Sequence, residues 1–287
     1  MADFVIYTDS ACDMGKELLK KWDVRYESLT FQFDDSGEEY GSMDMPADEF
    51  YARMRAGNVA KTSAVNMQTF YDGFKRELAA GKDILYIGMS GGISNTPNAA
   101  SIAGDELKAE YPDRKIITID TLTASIGEGY LVYKAVEMKK EGKSIEEIAD
   151  YIYDNMQKVN LWFIVDDLIY LKRGGRISAA AAFAGGVLQL KPVLRVDPEG
   201  KLENMQKVRG RSQSIKTLVK LYGERALDRK GEYVICHASC PDEAKGLEKQ
   251  LKDAYGVGAT FITEMSPVIG AHTGPGAMVL VFFANER

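Results

Sequence analysis

Four short apolar runs alternate with longer amphipathic segments over the first 165 residues, and this alternation limits the fold more than any other feature of the sequence. The runs have strand length and few polar residues, which is typical of strands buried on both faces of a sheet. They are Phe4–Tyr7, Asp83–Ile87, Lys115–Ile119 and Leu161–Val165. Strands that alternate with helices predict an α/β fold with a mainly parallel sheet flanked by helices.

The segments between these runs carry helix signals. Asn66 precedes a stripe of Phe70, Phe74 and Leu78, so we predict a helix that Asn66 caps. The sequence Ser-Ile-Glu-Glu at 144–147 is a capping box, which predicts the start of another helix.

Residues 25–40 depart from the alternation. The segments 25–33 and 38–40 flank the turn sequence Asp-Asp-Ser-Gly at 34–37. Two extended segments joined by such a turn predict an antiparallel hairpin at the edge of the sheet.

A second α/β block begins near residue 160. A chain of 287 residues suggests two domains at about 150 residues each. From residue 160 onward, further strand-length runs flank the turn Asp197–Gly200 and close the chain at Met278–Phe283. We therefore predict two packed α/β domains, 1–159 and 160–287, of which the second has a mixed sheet.

Charge and composition exclude several classes of function. The net charge of −6 lacks the basic excess of a nucleic-acid binder. No run reaches the roughly 18 apolar residues of a membrane span. The N-terminus lacks a basic segment typical of a secretory signal, so we expect a cytoplasmic protein without stable membrane insertion. Three cysteines, Cys12, Cys236 and Cys240, predict neither a disulfide framework nor a complete metal site.

The loop after the second apolar run has two interpretations. The sequence Gly88-Met-Ser90-Gly-Gly92 matches the nucleophile elbow of α/β-hydrolases, with Ser90 as the nucleophile and His272 or His237 as the base. Alternatively, the loop leads to a helix that Ser94 caps, and the N-terminus of that helix binds an anion at the edge of the sheet. A tight connection without a ligand fits the residues equally well.

Three other loops carry polar side chains. Thr62 and Ser63 lie just before the Asn66 cap, where hydroxyls either close a local turn or serve as ligand donors. The segment 172–178 is a basic, glycine-rich turn before a helix of small residues, and it is either an anion cradle or a solvated surface. His272 lies in the glycine-rich segment 270–276, which predicts a loop rather than a core position.

The end of the first apolar run carries two acidic residues. Asp9 is predicted to order the following loop by accepting hydrogen bonds, and Asp13 to cap a helix.

Taken in order, these segments resemble the bacterial DegV family over nearly the whole chain. No single motif is specific, but five motifs in the same order make the resemblance strong. They are Asp9-Ser10-x-x-Asp13, Thr62-Ser63, the segment Ser90–Thr96, Arg173-Gly-Gly-Arg176-Ile-Ser178 and the segment Gly270–Gly276.

The resemblance implies a two-domain α/β protein that binds one long-chain fatty acid, such as palmitate, between its domains. It also implies similarity to the lipid-binding subunits of bacterial fatty acid kinase. By that similarity, Thr62 and Ser94 hold the fatty acid carboxylate, and Ser63, Arg173 and His272 are expected near the head group.

The expected function is therefore a lipid carrier in fatty acid metabolism or transport, without cofactor, metal or catalytic residues of its own. It presents the carboxylate to the catalytic subunit of a fatty acid kinase, and the basic residues Arg173, Arg176, Arg209 and Arg211 are expected to dock that partner. The alternative is a serine hydrolase that uses Ser90 and His272.

Overall fold

The computed structural model describes residues 3–178 and 190–287. Within these ranges the strands are β1 (Phe4–Asp9), β2 (Arg25–Glu27), β3 (Thr30–Phe33), β4 (Glu39–Gly41), β5 (Ala60–Ser63), β6 (Asp83–Gly88), β7 (Ile116–Asp120), β8 (Val159–Ile164), β9 (Leu190–Val196), β10 (Leu202–Arg209), β11 (Tyr233–His237), β12 (Phe261–Glu264) and β13 (Met278–Phe283). The α-helices are α1 (Gly15–Lys21), α2 (Ala47–Arg55), α3 (Met67–Ala79), α4 (Thr96–Glu110), α5 (Ile126–Lys140), α6 (Ile145–Asn155), α7 (Ile169–Arg173), α8 (Arg211–Arg225), α9 (Pro241–Tyr255) and α10 (Pro267–Thr273).

A four-stranded parallel sheet forms the first layer, and its strand order is β2-β1-β6-β7. The register aligns Phe4 with Asp83 and Ile84 with Ile116. Every residue of β1 and β6 is buried, because helices cover both faces of this sheet. The α/β fold and the parallel sheet predicted from the apolar runs are confirmed.

A six-stranded mixed sheet forms the second layer, in the order β10-β9-β8-β13-β11-β12. Here β8 lies between two antiparallel neighbours, β9 and β13, while β11 pairs in parallel with β12. The run predicted at 161–165 therefore belongs to this sheet and not to the parallel one.

The hairpin predicted over 25–40 is only partly correct. Its first part, β2, joins the parallel sheet beside β1, with Arg25 opposite Tyr7. The chain turns at Leu29, whose backbone N–H donates to Ser10 Oγ at 2.9 Å. The second part, β3, then pairs with β4 and β5 in a separate three-stranded antiparallel sheet.

Both predicted helix caps are present. Asn66 Oδ1 accepts a hydrogen bond from the backbone N–H of Thr69 at 2.9 Å, and the capping box of Ser144 and Glu147 is formed in both directions. Phe70 and Phe74 are fully buried beneath α3, where their rings pack against Tyr86. Aromatic packing of this kind fixes α3 on the parallel sheet.

The buried carboxyl group of Asp9 predicts a pH dependence of stability. Burial raises its pKa to about 6, whereas the unfolded chain has an ordinary value of about 3.9. The folded state therefore binds more protons between these values, and the free energy of unfolding that Asp9 contributes falls as pH rises from about 4 to about 6.

We expect Asp9→Asn to remove this contribution. The difference in free energy of unfolding between wild type and variant should change by roughly 2–3 kcal/mol from pH 4 to pH 6. Urea denaturation at each pH measures it. Because the comparison is between two chains, the titrations of groups that do not interact with Asp9 cancel, and a difference that is constant with pH would contradict the assignment.

Candidate functional site

A cavity lies between the half of the chain that contains the parallel sheet and the half that contains the mixed sheet. Its largely apolar lining with a few polar groups fits the usual features of a small-molecule pocket. The apolar lining residues are Leu29, Ala64, Met89, Ile93, Ala124, Leu161, Phe163, Leu171, Val196, Leu202, Met265, Val268, Ile269 and Val279, and the polar ones are Thr62, Ser94, Ser125, Arg176, His272 and Thr273.

Two of the polar lining residues, one from each half of the chain, contact each other. Thr62 lies on β5 and His272 lies on α10, and Thr62 Oγ1 and His272 Nε2 are 2.8 Å apart. Burial, together with the nearby positive charge of Arg176, lowers the pKa of His272 to about 4. The imidazole is therefore neutral near pH 7, and it contributes hydrogen-bonding capacity without charge.

His272 also carries an unpaired polar atom. Its Nδ1 is buried and has no hydrogen-bond partner among the residues that the structure describes. Buried polar atoms without a protein partner commonly bind water or a ligand oxygen. The close approach of this ring requires Gly174, because a Cβ atom there would clash with His272 Nδ1.

The glycine-rich turn places the side chain of Arg176 at the cavity. Gly175 has φ of +72°, a left-handed conformation that favours glycine. Arg176 Nε donates to the carbonyl of Ile93 at 3.3 Å, and Nη1 donates to the carbonyl of Gly174 at 2.6 Å. Within 3–178 and 190–287, no carboxylate forms an ion pair with this half-buried guanidinium. Burial lowers its pKa, but a guanidinium remains protonated in proteins. The site therefore holds a positive charge that has no acidic partner among the described residues.

Ser94 lines the same cavity from the loop after β6. Its Oγ accepts from the backbone N–H of Thr96 at 3.2 Å and lies 2.9 Å from Thr96 Oγ1. The residue directly before α4 is Asn95, so the helix begins slightly later than a cap by Ser94 requires. The structure thus brings Thr62, Ser94 and His272, three of the predicted site residues, to one cavity.

Ser63 and Arg173 do not line this cavity. Side chains alternate along a strand, so Ser63 is exposed on the opposite face of β5 from Thr62. Arg173 is exposed at the end of α7, with its guanidinium 5.9 Å from the ring centre of Tyr170. Arg176, three residues later, takes the cavity position. The small-residue helix predicted after this turn lies outside the described residues.

The predicted loop around His272 is instead the short helix α10. Its start is fixed by Asp13, whose Oδ1 accepts from the backbone N–H of Ser266 at 2.9 Å. Pro267 follows as the first helical residue, where its missing N–H has no cost. Asp13 therefore does not cap α1 as predicted; that helix is preceded by Met14, which makes no side-chain cap.

The first motif forms a buried scaffold for the cavity. Asp9 accepts hydrogen bonds from Tyr86 Oη at 2.8 Å and from the backbone N–H of Ala11 at 2.9 Å. These bonds confirm the prediction that Asp9 orders the loop that follows it. Ser10 holds the backbone of the lining residue Leu29. Asp13 also accepts from the hydroxyl of the lining residue Ser125.

The hydrogen bonds of the Ser90 side chain indicate a structural role. Its hydroxyl is fully buried, donates to the carbonyl of Gly200 at 2.8 Å and accepts from the N–H of Gly92 at 3.0 Å. Neither histidine is among its hydrogen-bond partners in the described chain. Gly200 has φ of +76°, and a Cβ there would clash with Ser90 Oγ. This contact joins the Ser90 loop to the turn before β10 and leaves no base beside the serine.

Neither a metal-ligand cluster nor a membrane span occurs in the described part of the chain. It contains no group of three or more His, Cys, Asp or Glu side chains that could hold a metal ion. The three cysteines are free. No helix in 3–178 or 190–287 has the length and apolar character needed to cross a membrane.

Comparison with known proteins agrees with these observations. A family model described as "Uncharacterised protein, DegV family" matches residues 3–285. The chain belongs to the DegV family. A DegV domain-containing protein of Clostridium perfringens is 38% identical, and the alignment covers 100% of this chain and 99% of that protein.

Solved DegV structures share the whole fold. A fatty-acid-binding DegV family protein from Thermus thermophilus has a TM-score of 0.88 at 28% identity, covering 99% of this chain and 100% of that one. DegV of Bacillus subtilis, described as a fatty acid binding protein, has a TM-score of 0.85 at 26% identity, covering 99% and 100%. A stearic acid-binding protein from Eubacterium ventriosum has a TM-score of 0.87 at 25% identity, covering 97% and 98%.

We expect Gly174→Ala to displace His272 and to break its contact with Thr62. The ring should then become more solvated, so the pKa of His272 should rise from about 4 toward its ordinary value. NMR titration of the His272 ring protons measures this shift. Gly246→Ala is a matched control, because a Cβ there meets open space. An unchanged His272 pKa in Gly174→Ala would contradict the packing described.

Proposed function

We propose that this DegV protein binds one long-chain fatty acid, such as palmitate, in the cavity. The observation that carries the proposal is the guanidinium of Arg176, which donates to two backbone carbonyls but has no carboxylate partner among the described residues, within an otherwise largely apolar cavity. A partly buried charge without a partner is costly, and a fatty acid supplies both the missing anion and an apolar tail.

The polar lining residues suit a carboxylate. The hydroxyls of Thr62 and Ser94 donate to its oxygens, and the neutral imidazole of His272 orients Thr62 at 2.8 Å. Arg176 supplies the positive charge, since His272 is neutral at pH 7. Hydrogen bonds to a charged acceptor contribute about 1.5–3 kcal/mol each, so these residues fix the orientation of the lipid.

The apolar lining suits the tail. Transfer of about 15 methylenes from water contributes roughly 12 kcal/mol before the costs of binding are subtracted. The tail therefore provides most of the affinity, while the head group selects carboxylates over alcohols and esters.

The bound lipid is, on this proposal, a substrate for another protein. The chain acts in the cytoplasm as a carrier in lipid transport or fatty acid metabolism, and a separate fatty acid kinase subunit transfers phosphate from ATP to the carboxylate. The new bond joins a carboxylate oxygen to the γ-phosphorus, and ADP leaves. The structural role of Ser90 supports a carrier rather than a hydrolase, since its hydroxyl is engaged by Gly200.

The exposed basic residues suit the docking of such a partner. Arg173 and Arg209 are exposed, whereas Arg176 lines the cavity and Arg211 is paired with Glu243 at 2.6 Å. On this proposal only the first two retain the docking role that the sequence suggested for all four.

Protein purified under native conditions should carry about one equivalent of fatty acid, because a buried tail is released slowly. Native mass spectrometry followed by organic extraction tests this. Protein that is lipid-free and also fails to take up added palmitate or oleate would exclude the proposal.

We expect Thr62→Ala, Ser94→Ala and Arg176→Gln each to weaken palmitate binding by roughly 1–3 kcal/mol, because each leaves the carboxylate short of a donor. Ser63→Ala and Arg173→Gln are matched controls, since both side chains are exposed outside the cavity. Calorimetric titration with delipidated protein measures the affinities. Equal effects in a variant and its control would show that the head group binds elsewhere.

A further inference from the structure

Arg287 is a buried residue whose guanidinium donates to backbone carbonyls of three separate segments. It is only 7% exposed, and it is not among the described residues that line the cavity. The carbonyls that accept its hydrogen bonds are those of Thr121 and Leu122 after β7, Met156 and Val159 at the approach to β8, and Asp197 in the turn after β9. The donors of a guanidinium have a fixed planar arrangement, so Arg287 fixes the three segments relative to one another.

The guanidinium keeps its charge in this position. Burial lowers the pKa of Arg287 to about 10, which leaves the group protonated near pH 7. The acidic residues near it, Asp120 and Asp197, use their carboxylates to accept from backbone N–H groups. The positive charge therefore strengthens hydrogen bonds to carbonyl oxygens.

The segment 121–125, between β7 and α5, has a backbone conformation that needs support. Leu122 has φ of +53° and Ser125 has φ of +55°, in the left-handed region that residues other than glycine seldom adopt. Leu122 is fixed on both sides, because Asp120 Oδ1 accepts from its N–H at 2.8 Å and Arg287 donates to its carbonyl. Strained backbone of this kind persists only where its neighbours enforce it.

The same segment forms part of the cavity wall. Ala124 and Ser125 both line the cavity. The carbonyl of Thr123 accepts from the backbone N–H of Ser90 at 2.7 Å, and the loop that contains Ser90 leads to the lining residue Ser94. A change of conformation in segment 121–125 would therefore displace lining residues in two loops.

We propose that Arg287 is a positioning residue for lipid binding, which holds Leu122 in its left-handed conformation and thereby fixes the wall formed by Ala124 and Ser125. This inference rests on the proposed function for the identity of the ligand. Arg287 acts through the backbone of segment 121–125 and not by contact with the lipid. Because the arginine offsets the strain at Leu122, a substitution that relieves this strain should make the arginine dispensable.

Calorimetric titration of the delipidated full chain with palmitate tests this role. We expect Arg287→Gln to weaken binding about fivefold to tenfold, because segment 121–125 relaxes when the guanidinium is lost. Arg287→Lys keeps the charge and serves if Arg287→Gln does not fold; it should weaken binding similarly, since one ammonium group lacks the planar set of donors. Arg229→Gln is the matched control, because Arg229 is exposed and lies outside the described cavity lining.

A second substitution separates positioning from a general loss of stability. Glycine adopts positive φ without steric cost, so Leu122→Gly should return the palmitate affinity of the Arg287 variant to within about twofold of wild type. Leu227→Gly is the matched control and should not restore affinity, because Leu227 is exposed and does not have a positive φ. In the lipid-free chain, backbone NMR couplings of Leu122 measure its φ, and we expect Arg287→Gln to abolish the positive value.

Three outcomes would overturn the proposal. Wild-type palmitate affinity in both Arg287 variants removes the role in binding. Equal results for Leu122→Gly and Leu227→Gly in the Arg287 background show that the arginine contributes only to general stability. A positive φ of Leu122 that persists in Arg287→Gln shows that other contacts hold the segment. The NMR measurement needs no ligand, so a wild-type chain that does not bind palmitate contradicts the proposed function and leaves the effect of Arg287 on Leu122 separately measurable.

Discussion

The hydrogen bond between Thr62 and His272 joins the two halves of the chain at the polar lining of the cavity. Several other features of the structure position the imidazole for this bond. Gly174 leaves room for the imidazole, and the buried carboxylate of Asp13 fixes the start of the helix that carries it. The turn that contains Gly174 then places Arg176 in the same cavity. The two halves and the site are therefore parts of one arrangement.

The division of roles between His272 and Arg176 follows from burial. Removal of the imidazole from water favours its neutral form, and the adjacent guanidinium favours it further. A guanidinium stays protonated even when its pKa is lowered by burial. The cavity thus keeps a permanent positive charge beside a neutral hydrogen-bonding ring, and this arrangement suits the anionic head group of the proposed ligand.

Local patterns in the sequence predicted those parts of the structure that depend on local chemistry. The buried runs became strands β1, β6 and β7, and the caps at Asn66 and Ser144 form as predicted. The predicted hairpin is interrupted at Leu29, whose backbone N–H donates to Ser10 Oγ, so that only β3 and β4 form it.

The site was predicted less completely, for a related reason. Thr62, Ser94 and His272 could be assigned from a family resemblance, but the direction of an arginine in a glycine-rich turn depends on the backbone angles of that turn. The resemblance predicts Arg173 near the head group, whereas the residue of this turn that lines the cavity is Arg176, which follows the left-handed Gly175. The sequence signal that could have identified Arg176 as a lining residue is the pair of glycines followed by a second arginine.

A crystal structure of the chain with bound palmitate would locate both ends of the ligand. We expect the tail in the cavity and the carboxylate within hydrogen-bond distance of the Thr62 and Ser94 hydroxyls, with the Arg176 guanidinium beside it. A carboxylate that lies away from Arg176, or a lipid bound outside the cavity, would contradict this expectation.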